Sequence, residues 1–359
     1  MSRDTNDLFS PITIGPHTLR NRMVMAPLTR NRAGEGNVPQ DMTVEYYRQR
    51  ASAGLIITEA TQVSPQGVGY PATPGIHSPE QIAGWQKVTS AVHDEGGLVF
   101  LQLWYCGRIS HPDLLPNNQQ PVSASAIRAE GEAVTFEGMK PFVEPRALEI
   151  DEIPGIVDQY CKASINAKKA GFDGVEVHSA NGYLLDQFLR DGTNKRDDRY
   201  GGSIENRARL TLEVVDAVSQ IWDPSQVGVR ISPDNSFNDI RDSSPQALFN
   251  FVAEAMSTKR LGYLHVVEGG FMGEHEVDYD QIRQRYEGNY MANLGYDKQK
   301  AQAAIANGHA DLVSFGTLFL ANPDLVARFE ADAELNAPDQ ATFYGGDEHG
   351  YTDYPFMNS

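Results

Sequence analysis

Gly174-Val175-Glu176-Val177-His178 is a short β-branched run, closed by the polar turn Ser179-Ala180-Asn181-Gly182-Tyr183 and followed at 204–221 by apolar residues at helical spacing. The same order, strand then helix, extends in both directions. Strand-like runs lie upstream at 22–26, 55–58 and 98–103, and downstream at 227–231, 263–267 and 312–315, with a weaker one at 289–292. Amphipathic stretches at 80–95, 153–170, 245–260, 298–306 and 323–331 fall between or after them. Pro245 stands at a first helical position behind Ser243 or Ser244 as the cap. About eight such units in roughly 300 residues imply a parallel sheet and suit an α/β chain folded as a (β/α)8 TIM barrel. An open doubly wound sheet is the alternative, weakened because no Gly-x-Gly-x-x-Gly follows an early strand. Runs at 12–14 and 17–19 flank Gly15-Pro16 and read as a β-hairpin plugging one barrel end. A long excursion at 105–148, rich in Pro, Asn and Ser, follows the third strand. The expectation is a single domain over 1–359.

The 359 residues carry a net charge of −18, which argues against a nucleic-acid surface. The two cysteines, Cys106 and Cys161, read as free thiols of a reducing compartment, hence a cytoplasmic protein. The N-terminal Met1-Ser2-Arg3-Asp4 is followed by no apolar leader, and no run approaches the ~18 residues of a membrane span. No metal is expected: Glu274 and His275 lack a third partner at ligand spacing, and two cysteines cannot hold an iron–sulfur cluster.

In a barrel of this kind the active site lies at the C-terminal ends of the strands. Those ends carry Pro27, Thr29 and Arg30; Glu59 and Ala60; Gln102 and Trp104; His178, Asn181 and Tyr183; Arg230; Glu268; and Gly316-Thr317. Gln102 and Arg230 sit in otherwise apolar strands, and a buried polar group needs a partner. Either the protein supplies it, or a polar ligand does. His178 and Asn181, three apart, would share a face on a helical turn and could together donate to one carbonyl or nitro oxygen; Tyr183 would not share that face.

At these residues the chain resembles the old yellow enzyme family of FMN-dependent ene-reductases, in pattern nearest its bacterial members such as the N-ethylmaleimide and pentaerythritol tetranitrate reductases. The resemblance runs from Leu8-Phe9 to Pro355. Its motifs are Arg22-Met23-Val24-Met25-Ala26-Pro27-Leu28-Thr29-Arg30, Glu59-Ala60-Thr61-Gln62, Leu101-Gln102-Leu103-Trp104, the turn from His178 to Tyr183, Asp198-Arg199-Tyr200-Gly201-Gly202-Ser203-Ile204-Glu205-Asn206-Arg207, and Ala321-Asn322-Pro323-Asp324-Leu325. It implies FMN as cofactor, with NADPH or NADH as reductant. Thr29 would bond the flavin O4, Pro27 and Ala60 would line the isoalloxazine edge, and Gln102 and Arg230 would bind its pyrimidine end. Gly295, Gly316 and Thr317 would meet the phosphate, and Phe343 and Tyr344 would close over the flavin. His178 and Asn181 would hold the carbonyl or nitro group of an activated alkene, Tyr183 would deliver a proton, and Tyr70, Trp104 and Phe271 would shape the substrate pocket.

The chain departs from the family pattern in places. Many relatives have Arg after the glycine of strand eight, where this chain has Thr317; a glycine-rich turn at strand seven is here Asn293-Leu294-Gly295-Tyr296. Many have His after the Trp of strand three, where this chain has Tyr105 and Cys106, a change expected to alter the pocket mouth. The resemblance leaves open a nitro-ester or quinone reductase using the same site, or a non-catalytic flavin carrier, and a monomer or homodimer.

Overall fold

The computed structural model describes residues 7–271 and 276–357. Glu274 and His275, and the first residues of the chain, lie outside the described residues. Eight parallel strands close into a barrel: β1 (Met23–Met25), β2 (Leu55–Ile57), β3 (Val99–Trp104), β4 (Gly174–His178), β5 (Val227–Ile231), β6 (Tyr263–Val267), β7 (Tyr290–Asn293) and β8 (Leu312–Phe315). Closure is complete, because β8 pairs with β1 and β3 pairs with both β2 and β4. The helices α1 (Asp41–Gln49), α2 (Pro79–Asp94), α3 (Ile153–Lys169), α4 (Ile204–Val218), α5 (Pro245–Ser257), α6 (Tyr279–Arg285), α7 (Lys298–Ala306) and α8 (Leu325–Glu330) follow the strands in turn. Short helices at Leu184–Leu189 and Thr317–Ala321 lie at the strand-end rim.

The expected barrel and hairpin are both present, and the strand bounds agree within a residue or two. Four helices, α1, α6, Leu184–Leu189 and Thr317–Ala321, fall where no helical spacing stood out. The excursion is less irregular than its composition suggests: it holds an antiparallel hairpin, Glu132–Thr135 with Gly138–Pro141, and a two-residue parallel pair, Val122–Ser123 with Arg146–Ala147.

Side chains alternate along each strand, so every second residue faces the barrel axis. At the N-terminal end these inward residues are Val24, Leu55, Phe100, Tyr263, Met291 and Leu312, all buried in one apolar cluster with Ile14 and Leu19 of the N-terminal hairpin. The hairpin is therefore the plug the sequence suggested. Gly228 makes room for the Tyr263 ring of this cluster, since a Cβ there would come within 2.2 Å of it.

The C-terminal segment is tied across the mouth by arginines. Arg30 donates to the carbonyls of Phe343 (2.9 Å) and Gly350 (2.7 Å), and Arg32 to those of Asp347 (2.9 Å) and His349 (3.2 Å). Both guanidinium groups lie over the Tyr351 ring. Beneath them Glu59 accepts the Arg30 N–H at 3.3 Å. Burial pushes the Glu59 carboxyl up to about 7, against the opposing pull of Arg30, from an ordinary value of 4.5.

The folded protein thus holds the Glu59 proton more tightly than the unfolded chain does. Its contribution to stability is full below pH 4.5 and is lost as pH rises toward 7. Urea unfolding across that window is expected to show a decline in stability that Glu59→Gln flattens; an unchanged slope in the variant would show that this carboxyl titrates normally.

Candidate active site

One layer above the apolar plug, the inward residues become polar. Gln102 of β3, Glu176 of β4, Arg230 of β5, His265 of β6, Asn293 of β7 and Ser314 of β8 are all buried. Strand register sets Glu176 beside Gln102, Arg230 beside His265 and Asn293 beside Ser314. Gln102 Nε2 donates to Glu176 Oε1 (2.7 Å), and His265 Nδ1 meets Glu176 Oε2 (2.8 Å). His265 Nε2 meets Ser314 Oγ at 2.8 Å, and Arg230 Nη2 donates to Asn293 Oδ1 at 2.8 Å.

Burial alone would raise the Glu176 carboxyl, but His265, Arg230 and Gln102 outweigh it and hold it below the ordinary carboxylate range. Burial also lowers His265, against the pull of Glu176. The consistent state is an ionised Glu176 and a neutral His265 that donates from Nδ1 and accepts from the Ser314 hydroxyl. Glu176 is the countercharge for Arg230, whose pKa burial lowers and this carboxylate raises.

Partnering in this layer is incomplete. Gln102 Oε1 and Arg230 Nε are buried with no hydrogen-bond partner among the described residues. Both readings of these two residues therefore hold in part: the protein satisfies one side of each and leaves the other open. Such orphaned groups are costly unless a ligand completes them.

Above them, β4 runs directly into the turn that carries three of the expected residues. His178 ends the strand, Asn181 has φ +58° and Gly182 φ +76°, and Tyr183 caps the helix Leu184–Leu189. The residues meet through this left-handed turn and not along a helical face, which is why spacing alone left Tyr183 out. The His178 and Tyr183 rings stand 5.1 Å apart, edge to face. Trp104 packs edge-on to Tyr183 at 5.0 Å and stacks on Tyr70 at 5.6 Å, and the Tyr183 hydroxyl bonds that of Tyr70 at 3.2 Å. Ala60 belongs to the same cluster.

Burial, then Arg230 and His265, push His178 well below its ordinary value, so the imidazole is neutral. Burial, reinforced by Tyr70, pushes the Tyr183 phenol well above its own. Both are therefore uncharged donors at neutral pH. The pH–rate profile of the alkene reduction that the resemblance implies is accordingly expected to show no limb near 6.5 from His178; a limb at that pH that disappears in His178→Asn would contradict its neutral state.

The other expected residues occupy the same rim with looser contacts. Pro27 is buried and Thr29 half-buried in the loop after β1. Gly295 has φ +74° with nothing within 4 Å of a would-be Cβ, an open backbone after β7. Gly316 and Thr317 follow the neighbouring β8, and Thr317 is exposed. Phe271 packs against Phe237 at 5.8 Å on the outer rim, and Tyr344 is exposed; burial raises the Tyr70 phenol, and Tyr344 adds a small part. A cavity of about 300 Å3 adjoins Tyr70, walled by Ile109, Phe142, Phe237 and Asn238. Tyr105, expected at the mouth, instead turns into the core between barrel and helices; Cys106 packs with Trp104 and Tyr183. Both cysteines are free, and no group of three or more metal-ligating side chains occurs among the described residues.

The sequence profile of the NADH:flavin oxidoreductase / NADH oxidase family matches residues 7–336. The chain belongs to that family. A "Probable flavin mononucleotide-dependent alkene reductase" of Leishmania infantum is 45% identical over 361 residues, covering 99% of each chain. The structure of morphinone reductase in complex with tetrahydroNAD superposes with a TM-score of 0.94 at 50% identity over 98% of each chain. The old yellow enzyme homologue of Zymomonas mobilis does so with 0.95 at 44% identity, over 98% of this chain and all of that one. The resemblance carried by the motifs is thus a family membership carried by the whole chain.

Within this flavin oxidoreductase barrel, the sequence reading passed over Glu176 and His265, although each is a lone polar residue in an apolar strand, the signal that marked Gln102 and Arg230. Replacing Glu176 by Gln is expected to lower stability by about 3–5 kcal/mol, because it leaves the Arg230 charge buried without its counterion. Chemical denaturation checks this; a loss under about 1 kcal/mol would show that Arg230 is neutralised elsewhere.

Proposed function

We propose that the barrel mouth is the site of an FMN-dependent reductase of activated alkenes, and that the residues singled out above perform the reaction. The observation that carries the reading is the pair of orphaned buried atoms, Gln102 Oε1 and Arg230 Nε, directly below two neutral hydrogen donors, His178 and Tyr183. A planar ligand with acceptors and an N–H along one edge completes both atoms, as the pyrimidine end of a flavin does. The Thr29 hydroxyl, which has no protein partner among the described residues, is available to the same ring system. Gly295, Gly316 and Thr317 offer backbone N–H groups to the phosphate, with the Thr317 hydroxyl in place of an arginine.

When bound, FMN supplies the redox step, taking a hydride from a nicotinamide and giving it to the β-carbon of the alkene. The protein orients and polarises. Arg230 would hold the pyrimidine edge and offer it positive charge. His178 and Asn181 donate to the carbonyl or nitro oxygen, stabilising the enolate-like charge that develops there. The Tyr183 phenol protonates the α-carbon as general acid. Trp104 and Tyr70 exclude water around it and fix its ring. Substrates are small enones, nitroalkenes or maleimides, and their distal parts have the cavity beside Tyr70 to occupy. No helix among the described residues is long and apolar enough to cross a membrane, and we place the reaction in the cytoplasm.

Anaerobic visible absorbance tests the reading. Addition of NADPH is expected to bleach the flavin, and cyclohexenone or N-ethylmaleimide to restore it. Bleaching without recovery would point to another oxidant, and protein that takes up no FMN would overturn the assignment. Tyr183→Phe is expected to slow recovery with cyclohexenone by about 10²–10⁴-fold while flavin content is unchanged. Recovery at the wild-type rate would remove Tyr183 as the proton donor.

A further inference from the structure

An asparagine amide can sit in its site in two orientations, half a turn apart, which exchange its oxygen and its NH2. For Asn181 the choice decides the chemistry: one orientation offers a substrate oxygen a hydrogen, and the other opposes it with a second oxygen. The backbone at this residue is already fixed. Its N–H donates to Ser232 Oγ (2.8 Å) and its carbonyl accepts from Asn238 Nδ2 (2.8 Å). Gly182 next to it is pressed against Phe237 and Asn238. What remains free is rotation of the side-chain amide.

Asn235 removes that freedom. Its Nδ2 donates to Asn181 Oδ1 at 2.9 Å. Two facing amides could still turn over together, so this bond alone selects nothing. The tie is broken by a group that cannot turn, the Phe237 backbone N–H, which donates to Asn235 Oδ1 at 3.0 Å. A backbone N–H is only ever a donor, so it must meet the Asn235 oxygen. Asn235 must then present its NH2 to Asn181, and Asn181 must accept with its oxygen. Asn181 Nδ2 is left without a protein partner among the described residues. Asn235 is 1% exposed, so water does not compete for these bonds. Asp234 anchors the same loop, accepting from the Glu276 N–H (2.9 Å) and the Tyr279 hydroxyl (2.7 Å).

We infer that Asn235 is a positioning residue that sets the Asn181 amide to donate to the substrate's activating oxygen, through a relay that starts at the Phe237 N–H. The inference rests on the reading of Asn181 as a substrate-holding residue. It makes the site selective for alkenes activated by an acceptor group, and gives an N–H-bearing activating group no partner at Asn181.

Asn235→Asp separates positioning from bulk. The near-isosteric carboxylate keeps the Phe237 N–H bond but can only accept. Asn181 then turns over to donate to it and shows its own oxygen to the substrate. In dithionite-reduced enzyme, reoxidised by cyclohexenone in stopped flow, the half-saturating cyclohexenone concentration is expected to rise about tenfold at pH 7.5, with flavin absorbance unchanged. It is expected to recover as pH falls and the new carboxyl takes up the proton that lets it donate again. Wild-type enzyme should lack this recovery. Asn235→Ala, which keeps no selector, is expected to weaken binding at every pH, and it serves as the test if the Asp variant does not fold. Asn181→Ala separates the two readings. If it saturates like wild type, the role of Asn181 fails and the inference with it. If Asn181→Ala is impaired while Asn235→Asp and Asn235→Ala saturate like wild type, the inference alone is overturned. A loss in Asn235→Asp with no recovery at low pH also overturns it, as an effect of packing.

Discussion

An ionised carboxylate in the middle of a closed barrel is the constraint on which the site depends. Glu176 lies on β4, fully buried, where an isolated charge would be displaced by protonation. It stays ionised because Gln102 and His265 hydrogen-bond it and Arg230 balances its charge. In return it fixes the rotamer of Gln102 and the tautomer of His265, and it allows a guanidinium to stand inside the barrel. The apolar plug below gives this layer a dry floor. Removing water strengthens every one of these interactions and equally raises the cost of any atom left unpaired. Gln102 Oε1 and Arg230 Nε are such atoms among the described residues, and the proposed flavin edge would complete them.

Burial does more than strengthen contacts; it selects protonation states. It drives His178 down and Tyr183 up, so both are neutral donors beside the buried Arg230 cation. On the proposed reading, the positive charge of Arg230 stays at the cofactor edge while the substrate oxygen meets hydrogens without full charge. The acid role proposed for Tyr183 needs a proton still in place at neutral pH, and the same burial provides it.

Much of this is written plainly in the chain. The barrel follows from the alternation of short β-branched runs with helical spacing, and the strand at 174–178 and those at 227–231, 263–267 and 312–315 stand at their expected bounds. Gln102, Arg230, His178 and Trp104 were legible as polar or aromatic residues at strand ends. Glu176 and His265 carry the same mark, and their roles appear only once register places them beside Gln102 and Arg230. Helix α1 is hard to see because its core face is built from Thr43, Tyr46 and Tyr47, which do not read as an apolar stripe. The hairpin in the excursion buries only Ala133 and Thr135 of its first strand and leaves Phe136 exposed, so its pattern is weak. Asn235 lies in a loop with no period at all; its role depends on which way a backbone N–H at Phe237 points, and no side-chain pattern encodes that.

The arginine ties across the mouth have a consequence for how such a site can diversify. Arg30 and Arg32 grip the segment at 342–350 through its carbonyl oxygens, which every amino acid carries. Attachment is therefore indifferent to the side chains that the segment displays. Phe343 and Tyr344 can drift through successive substitutions while their backbone stays docked. The portion of the rim that displays these side chains is thus insulated from the portion that keeps the barrel folded. Both positions can change without disturbing the charged layer within.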